Sequence, residues 1–579
     1  MRPHPRLIVD DARLSEIRAL VADDAFAVRA LREVTAECAT LAAKPAPVFP
    51  PSGPLLFLAG DTLHLVATCG LVWRLTGDAG ALDAARRHVL AICAQPPWKR
   101  DDFLAIGELA YALALAYDWL RDGLAADERE VLRRYLIDAI LRQGIAAYDE
   151  GDWWVDTPIN WNHECNGGLV VAALAIADSD PDIARAVIPR AIRWFGYALD
   201  GYDPDGGWDE GAGYWGRATI FSVYALAALE TAVGHDAGLG ARRGFAETAR
   251  FFMAATGPTG LLAAYADCNE RRRRGSLPLM LWMARRYDRP EYAAFELDHA
   301  REHGACAEDL FWYRPSGATP RIALDQHFRA PGSFVSMRSG NDDRDALYLW
   351  TKGGSNQTNH GHLDQGNFEL DALGQRWARD LGTDNYGLPG YFDRRPGGRK
   401  WTYYRLNSLS HSVPLIDGAS QEHAGTARIT GFHADRLNPR AVVELSECYK
   451  PAAGLARRGV MLVQRRAALI QDEFALARHC RFTWAMTTDA AIVLDGASAT
   501  LTLGGERLIA TILEPAGAVF SQESAERAPP EKPNTGVRRL LVDLARVDGR
   551  LRVAVLLSPC WRDGVATPAP PIVPLGRWF

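Results

Sequence analysis

The segment Asn359-His360-Gly361-His362-Leu363-Asp364-Gln365-Gly366-Asn367-Phe368 sets two imidazoles two residues apart beside a glycine, in a stretch that we predict to be a strand. Residues i and i+2 of a strand point to one face, so His360 and His362 are expected to share a ligand or to divide catalysis and metal binding between them. Histidine is the commonest metal ligand and the usual acid or base near neutral pH. Because two histidines on one strand are also found simply as hydrogen-bonded polar residues, the prediction depends on the segments downstream.

Two downstream segments, Trp377–Gly382 and Ser408–Gly418, have the pattern of short strands that end in turns. Together with His362 they supply two imidazoles and one carboxylate, from Asp380 and His411. This set of ligands suits zinc, which accepts nitrogen and oxygen donors and can leave its fourth position to water. The alternative is that Asp380 opens a turn and that His411 packs at a sheet edge.

The length and composition describe a multidomain globular protein. At 579 residues and 63.6 kDa the chain exceeds what one hydrophobic core usually organises. The net charge of -6 gives no support to a nucleic-acid partner. We find neither an apolar core of signal-peptide length at the start nor a later run suited to span a bilayer, which predicts a cytoplasmic protein without a membrane partner, with the periplasm as the less favoured alternative. Nine cysteines without paired spacing read as buried thiols.

The chain changes character near its middle. About a dozen segments before residue 310 carry apolar residues at helical spacing, and short Gly, Pro and Asp clusters separate them. Short loops between helices of similar length favour antiparallel pairs, and therefore a solenoid or a closed helical toroid. From about Phe328 onward, strand-length runs alternate with Gly, Asn and Asp. Helices followed by strands predict two segregated domains, with residues 1–325 helical and residues 326–579 an antiparallel sandwich.

Two patches of the helical half break its Ala and Leu pattern. Asn160–Gly168 concentrates amides, an imidazole and an aromatic ring at a helix start, where Asn caps free N–H groups and the helix dipole favours an anion. The alternative is a cap with a buried polar cluster. Asp203–Gly216 is a glycine-rich loop running into a helix near Tyr214, whose aromatic residues are either a sugar-binding floor or core anchors. Within it, Asp209 and Glu210 are also candidate carboxylates of a hydrolase.

These four patches, in this order, resemble the heparinase II/III-like polysaccharide lyases and the oligoalginate lyases of the same fold. The motifs are Asn-Trp-Asn with Asn-Gly-Gly, Glu-Gly-x-x-Tyr-Trp, His-Gly-His-Leu-Asp, and Trp-Ala-x-Asp-Leu-Gly with the following His. The resemblance implies a multidomain α + β chain, with an N-terminal incomplete (α/α) toroid followed by a C-terminal antiparallel β-sandwich and an active cleft between them. It also implies β-elimination at uronic acids.

The resemblance further implies roles for individual residues. Tyr214 matches the catalytic tyrosine and His360 the catalytic histidine. The zinc ligands, for a metal that we expect to be structural, are matched by His362, Asp380 and His411. The element that neutralises the uronate carboxylate is matched by the region that holds Asn162, His163 and Asn166, and the sequence leaves open which of the three acts. Nearby aromatic and basic residues are expected to line the cleft and bind substrate, among them Tyr386, Tyr391 and Arg405.

The residue types fit an elimination. Removal of the C5 proton builds charge beside a carboxylate, so donors must first offset that carboxylate. We hypothesise that Tyr214 protonates the leaving oxygen and is the base for one C5 epimer, with His360 as the base for the other. Rival interpretations are a glycoside hydrolase that uses Asp209 and Glu210, and a non-catalytic protein that binds acidic carbohydrate. The expected partner is an acidic oligosaccharide or polysaccharide; the glycan and the oligomeric state stay open, with a homodimer among the alternatives.

Overall fold

The computed structural model describes residues 1–47, 49 and 55–579. Contacts divide the chain into two compact units, which we call the helical unit and the sheet unit. The helical unit comprises Met1–Asp203, Gly216–Ala249 and Gly275–Pro320, and the sheet unit comprises Pro204–Trp215, Arg250–Arg274 and Arg321–Phe579. The division predicted near residue 325 is contiguous in sequence, whereas the sheet unit also takes two short segments from the helical half of the chain.

The described part of the N-terminal half is helical up to Trp312. Its α-helices are α1 (Asp11–Asp23), α2 (Ala25–Ala42), α3 (Leu56–Thr76), α4 (Ala79–Cys93), α5 (Phe103–Trp119), α6 (Ala126–Tyr135), α7 (Arg142–Glu150), α8 (Asn160–Ile176), α9 (Pro181–Leu199), α10 (Gly211–Val233), α11 (Thr248–Ala254), α12 (Leu279–Tyr287), α13 (Pro290–His303) and α14 (Ala307–Trp312). A π-helical turn, Leu136–Leu141, joins α6 to α7. Several connections are short, such as those from α1 to α2 and from α3 to α4.

Helices α5 and α8 form the centre of the helical unit. Every residue of α5 is buried, which explains why apolar residues surround this helix instead of forming one stripe. The two helices pack closely because glycines face each other. A Cβ on Gly168 would lie 2.3 Å from the Gly107 carbonyl oxygen, and a Cβ on Gly107 would lie 2.9 Å from the Cα of Cys165. The Gly-Gly of the Asn-rich motif therefore serves helix packing.

Helix α3 corrects one expectation from the sequence. It is the one helix in the described ranges that is long and apolar enough to span a bilayer. Most of the helix is buried inside the helical unit, and a core helix meets the same criteria of length and hydropathy. The nine cysteines are free thiols, as predicted, six of them buried and three partly exposed.

The sheet unit contains sixteen strands in the described residues, all paired antiparallel. They are β1 (Asp325–Phe328), β2 (Phe334–Arg338), β3 (Tyr348–Lys352), β4 (Gly354–Ser355), β5 (Phe368–Ala372), β6 (Gln375–Ala378), β7 (Leu415–Ile416), β8 (Thr426–His433), β9 (Arg440–Glu444), β10 (Ala453–Val463), β11 (Ala467–Thr488), β12 (Ala491–Asp495), β13 (Ser498–Leu503), β14 (Glu506–Glu514), β15 (Phe520–Ser524) and β16 (Arg538–Pro559). Strands β11 and β16, each 22 residues long, pair along most of their length.

The strands form two sheets around one core. The smaller sheet has the order β1-β2-β3-β5-β6, and the larger has the order β12-β13-β14-β16-β11-β10-β9-β8-β4, with β15 on β16 and β7 on β11. Side chains from both sheets share one buried cluster, which includes Leu349, Phe368, Ile470, Trp484 and Val553. Two antiparallel sheets packed face to face over a common core make a β-sandwich.

The contact between α5 and α8 gives a test of the helical unit. We expect Gly168→Ala to lower the free energy of unfolding by about 1–3 kcal/mol, because the new methyl group meets rigid backbone. The matched control is Gly60→Ala in α3, where a Cβ would lie 3.4 Å from the flexible Glu108 side chain and helix propensity improves by up to about 1 kcal/mol. Thermal unfolding checks both, and equal midpoints for the two variants would contradict the packing argument.

Candidate active site and metal centre

The His-Gly-His segment is a loop between β4 and β5, so the predicted strand is wrong here. His360 has a φ of +57°, in the left-handed region that non-glycine residues rarely adopt. Next to it, a Cβ on Gly361 would lie 2.9 Å from the carbonyl oxygen of Thr358, which closes the turn. The two imidazoles therefore do not share a strand face, yet both reach the same carboxylate.

That carboxylate belongs to Asp267, which is buried and accepts four hydrogen bonds. Its Oδ2 lies 2.7 Å from His360 Nδ1 and 3.2 Å from the Tyr386 hydroxyl. Its Oδ1 lies 3.1 Å from His362 Nε2 and 2.5 Å from the Tyr391 hydroxyl. Burial alone raises the pKa of Asp267, but the bonds from the two histidines outweigh it and hold the pKa well below its usual range. Asp267 is thus an ionised acceptor at the centre of the site.

Glycines of the sequence motifs let the segment that carries Asp267 approach its neighbours. A Cβ on Gly382, which ends the Trp-Ala-x-Asp-Leu-Gly motif, would lie 2.1 Å from the carbonyl oxygen of Cys268. A Cβ on Gly211, at the start of α10, would lie 2.6 Å from the carbonyl oxygen of Tyr265. Between these two contacts, Ala266 adopts a φ of +54°. Asp267 could not be identified from the sequence, because a single Asp in an apolar stretch carries no local signal of its partners.

Tyr214 lies in the first turn of α10, within the stretch Pro204–Trp215 that belongs to the sheet unit. Its ring stacks on the imidazole of His360, with ring centroids 4.0 Å apart and an interplanar angle of 17°. Its hydroxyl lies 2.7 Å from that of Tyr386. The structure therefore brings together the phenol and the imidazole that the resemblance implied as the catalytic pair.

Aromatic side chains line the solvent side of His360. Tyr386 is 42% exposed and Phe392 is 59% exposed, and the Phe392 ring lies 6.3 Å from the His360 ring. Exposed aromatic faces beside polar groups are suited to the apolar faces of sugar rings. Phe392 was not among the residues predicted to bind substrate. The structure identifies it as a large apolar side chain that is exposed beside the site. Lys400, whose ammonium group interacts electrostatically with Asp267, is buried, and this burial lowers its pKa to about 8.

His362, Asp380 and His411 form a buried group whose possible ligand atoms all lie within 4.8 Å of one another. Among the described residues, His362 Nδ1 and His411 Nε2 are buried without a hydrogen-bond partner. Two imidazole nitrogens and a carboxylate oxygen are ligands that zinc accepts. Asp380 follows β6 as expected, whereas His411 follows a 3-10 turn, Ser408–Ser410, where a strand was predicted. The donor set therefore fits a zinc ion.

Neighbouring groups hold this donor set in place. Asp380 accepts a hydrogen bond of 2.6 Å from Asn367 Nδ2 and one of 2.7 Å from the Gly382 N–H. Burial lowers the pKa of His362, which keeps its ring neutral, as a metal ligand must be. Burial raises the pKa of Asp380, but His411 outweighs it and the net shift is downward. Fixed ligands of this kind are what a metal centre needs from its surroundings.

Two residues predicted to bind substrate have structural positions instead. Arg405 is 2% exposed, and its guanidinium donates to the carbonyl oxygens of Leu381 and Thr383 and to the Glu270 carboxylate. Tyr391 is 1% exposed, and its hydroxyl is engaged by Asp267. Both predictions need correction, because these polar groups already bond inside the protein. Tyr386 alone of the three presents a face to solvent.

The three amide and imidazole candidates of the helical unit, Asn162, His163 and Asn166, are completely buried in this structure. Asn166 donates to Asn162 and accepts from the Tyr148 hydroxyl at 2.5 Å. His163 Nδ1 lies 2.8 Å from the hydroxyl of Ser222, and burial lowers its pKa to about 3. Their arrangement is that of a buried polar cluster, and contact with a substrate carboxylate stays a prediction that this conformation does not support.

The start of α8 also differs from the predicted cap. The N-cap residue is Ile159, and no side chain of the described residues caps the helix there. Asn160 instead donates to Glu164 Oε1 at 2.8 Å, and Arg217 donates to Glu164 Oε2 at 2.8 Å. Burial raises the pKa of Glu164 to about 8. The polar residues of this motif therefore form a network inside the helical unit.

The carboxylates proposed for the rival hydrolase are poorly placed for it. Glu210 is completely buried and accepts a hydrogen bond of 2.6 Å from Asn359 Nδ2. Burial raises the pKa of Asp209, which is partly exposed. A glycosidase needs two carboxyl groups that both reach the scissile bond. Glu210 does not meet that requirement here.

Comparisons with known proteins identify one similar family and several similar folds. Residues 331–537 match the family model described as Heparinase II/III-like, C-terminal. None of the curated proteins matches the sequence. Two solved structures of heparinase III are similar to this chain. The first superposes with a TM-score of 0.63 at 14% identity and covers 96% of this chain and 92% of its own. The second also has a TM-score of 0.63, at 12% identity, and covers 96% of this chain and 93% of its own. A heparan sulfate lyase from Pedobacter heparinus gives a TM-score of 0.61 at 14% identity, covering 96% and 92%.

At such identities the solved structures establish the fold, an N-terminal helical toroid followed by a C-terminal antiparallel β-sandwich, and they confirm the predicted fold class. The family model supplies the relationship in sequence. Residues 331–537, which carry His360, His362, Asp380 and His411, thus match the model of the heparinase II/III-like C-terminal family, in agreement with the resemblance.

Proposed function

We propose that this protein is a lyase that cleaves uronic-acid-containing polysaccharides or oligosaccharides by β-elimination and leaves a 4,5-unsaturated uronate end. The observation that carries the proposal is the stacking of the Tyr214 ring on the His360 ring, with centroids 4.0 Å apart. A phenol and an imidazole side by side offer the proton acceptor and the proton donor that the reaction needs. The family of residues 331–537 and the fold shared with heparinase III support this assignment.

In the proposed reaction the C5–H bond of the uronate breaks and its electrons form the C4–C5 double bond. The C4–O4 bond breaks as this double bond forms, and the leaving oxygen keeps the electrons of that bond and takes a proton from Tyr214. His360 accepts the C5 proton of one epimer, and Tyr214 accepts it for the other. Because Nδ1 of His360 faces Asp267, the ring keeps Nε2 for the substrate.

The substrate carboxylate must lose part of its negative charge before the C5 proton can leave. The resemblance assigns this task to the region of Asn162, His163 and Asn166. A histidine whose pKa is about 3 is neutral at physiological pH, so His163 would act as a hydrogen-bond donor and not as a cation. On the sheet unit, the exposed Arg394 donates to Asn359 Oδ1 at 3.2 Å and supplies positive charge on the loop beside His360.

We further propose that His362, Asp380 and His411 hold one zinc ion with a structural role. Bound zinc would supply a link between the His-Gly-His loop, the end of β6 and the turn before His411. The two buried nitrogens His362 Nδ1 and His411 Nε2, which have no partner among the described residues, support this assignment. His360 is left for the substrate.

We expect Tyr214→Phe to lower the rate of elimination by about 10²–10⁴-fold, because the ring stays while its proton donor is removed. The assay follows the ultraviolet absorbance of unsaturated product over a panel of acidic oligosaccharides. Tyr287→Phe is the matched control, since it removes a hydroxyl that donates to the Gly240 carbonyl oxygen at 2.8 Å in the helical unit.

Full activity of Tyr214→Phe would refute the assignment of that residue. A saturated product from the unmodified protein would favour the hydrolase instead, and binding of the oligosaccharides without turnover would favour a carbohydrate-binding protein.

His360→Gln should separate the two C5 epimers. We expect a loss of about 10²-fold or more on the epimer whose proton His360 accepts, and a smaller loss on the other, which Tyr214 serves. His479→Gln, at an exposed histidine paired with Asp548 at 3.1 Å, is the control. Equal losses on substrates of both configurations would contradict the division of roles.

Metal analysis of purified protein should find about one zinc per chain, and His411→Ala should lose it. Removal of the metal by a chelator should lower the melting temperature while activity at a temperature well below melting changes less. His433→Ala, at an exposed histidine of β8, should keep the metal. The assignment of the zinc ligands would be wrong if the unmodified protein contained no zinc or if His411→Ala retained it.

A further inference from the structure

Asp267 was predicted neither as a catalytic residue nor as a zinc ligand, yet it contacts one residue of each kind. Its carboxylate joins His360, the proposed base, at 2.7 Å to His362, a proposed zinc ligand, at 3.1 Å. A carboxylate has about four lone-pair sites, and all four are occupied here, by the two imidazoles and by the hydroxyls of Tyr386 and Tyr391. Such an acceptor holds its donors in one orientation.

The two imidazoles meet Asp267 through different nitrogens. His360 presents Nδ1 and His362 presents Nε2. Each oxygen of Asp267 also accepts from a tyrosine hydroxyl, so the carboxylate is surrounded by donors, and each of these nitrogens carries the proton of its hydrogen bond. In a neutral ring the other nitrogen is then bare. The bare nitrogen of His360 is Nε2, which suits a base, and that of His362 is Nδ1, the buried atom without a partner among the described residues.

The backbone around Asp267 is held firmly enough for this task. The carbonyl oxygen of Cys268 packs against Gly382, and the carbonyl oxygen of Tyr265 packs against Gly211, in space that a Cβ would fill. Ala266, just before the carboxylate, has a φ of +54°, and His360 has a φ of +57°. Strained conformations of this kind persist only where surrounding contacts fix them, and they gather at functional sites.

From these contacts we propose that Asp267 is a positioning residue that sets opposite tautomers in His360 and His362 and thereby couples the reaction centre to the metal centre. The inference rests on the proposed function for the role of His360. It adds a residue that acts through both histidines, in the manner of the carboxylates that orient metal-bound imidazoles and catalytic ones.

The test uses Asp267→Asn, which keeps the shape of the side chain but replaces one acceptor oxygen by a donor. At least one imidazole must then turn its proton away from residue 267. We expect kcat to fall by about 10²-fold or more with little change in KM, and zinc to leave about 10–100-fold more readily to a chelator. Long-range proton–nitrogen NMR spectra of protein labelled in histidine should show the changed tautomer directly.

The matched control is Asp118→Asn in the helical unit. Asp118 is likewise buried, pairs with Nδ1 of His4, and accepts hydrogen bonds of 2.9 and 2.8 Å from the N–H groups of Arg6 and Leu7. This variant breaks a buried Asp–His pair of the same type. It should lower the melting temperature but leave the signals of His360 and His362, the retention of zinc and kcat unchanged.

The outcomes are separable. If Asp267→Asn changes only the melting temperature, as the control does, the residue is merely structural and the proposal fails. Should that variant not fold, the spectrum of the unmodified protein decides, because a protonated Nε2 in His360 or a protonated Nδ1 in His362 overturns the proposal. If no uronate oligosaccharide is cleaved by the unmodified protein, the proposed function fails, while the tautomers and the retention of zinc still judge Asp267.

Discussion

The buried, ionised carboxylate of Asp267 is the interaction on which the arrangement of this site depends. A carboxylate removed from water without partners would cost several kcal/mol or would become protonated. Here two imidazoles and two phenols replace the lost water. Two of these partners are His360, the proposed base, and His362, a proposed zinc ligand, so the bonds that offset the cost of burying the charge also fix the orientation of both rings.

Close backbone contacts make that arrangement possible. Gly211 and Gly382 each admit a carbonyl oxygen of the segment that carries Asp267, and Gly361 closes the turn beside His360. In the helical unit, Gly107 and Gly168 do the same for α5 and α8. These five glycines are therefore explained by sterics, because a methyl group on any of them would meet backbone atoms at 3.0 Å or less.

Some features of the site could be predicted from the sequence and others could not. The grouping of His362, Asp380 and His411 and the meeting of Tyr214 with His360 were anticipated through the motifs and their resemblance to a known family. The strand at His360 was not correct, because a left-handed residue and a tight turn replaced it. Arg405 was misassigned for a related reason: an arginine in a loop looks solvated in sequence, but its donors are used inside the protein.

By itself, the sequence determined the order of helices and then strands, since periods of 3.6 and 2 residues are local properties of the chain. It also determined which residue types the site contains. Only the tertiary structure decided which polar groups meet, that Asn162, His163 and Asn166 lie buried, and that a carboxylate 93 residues away from His360 contacts its ring. The physical reason is that a hydrogen bond depends on tenths of an ångström between distant segments, and no local pattern encodes such an approach.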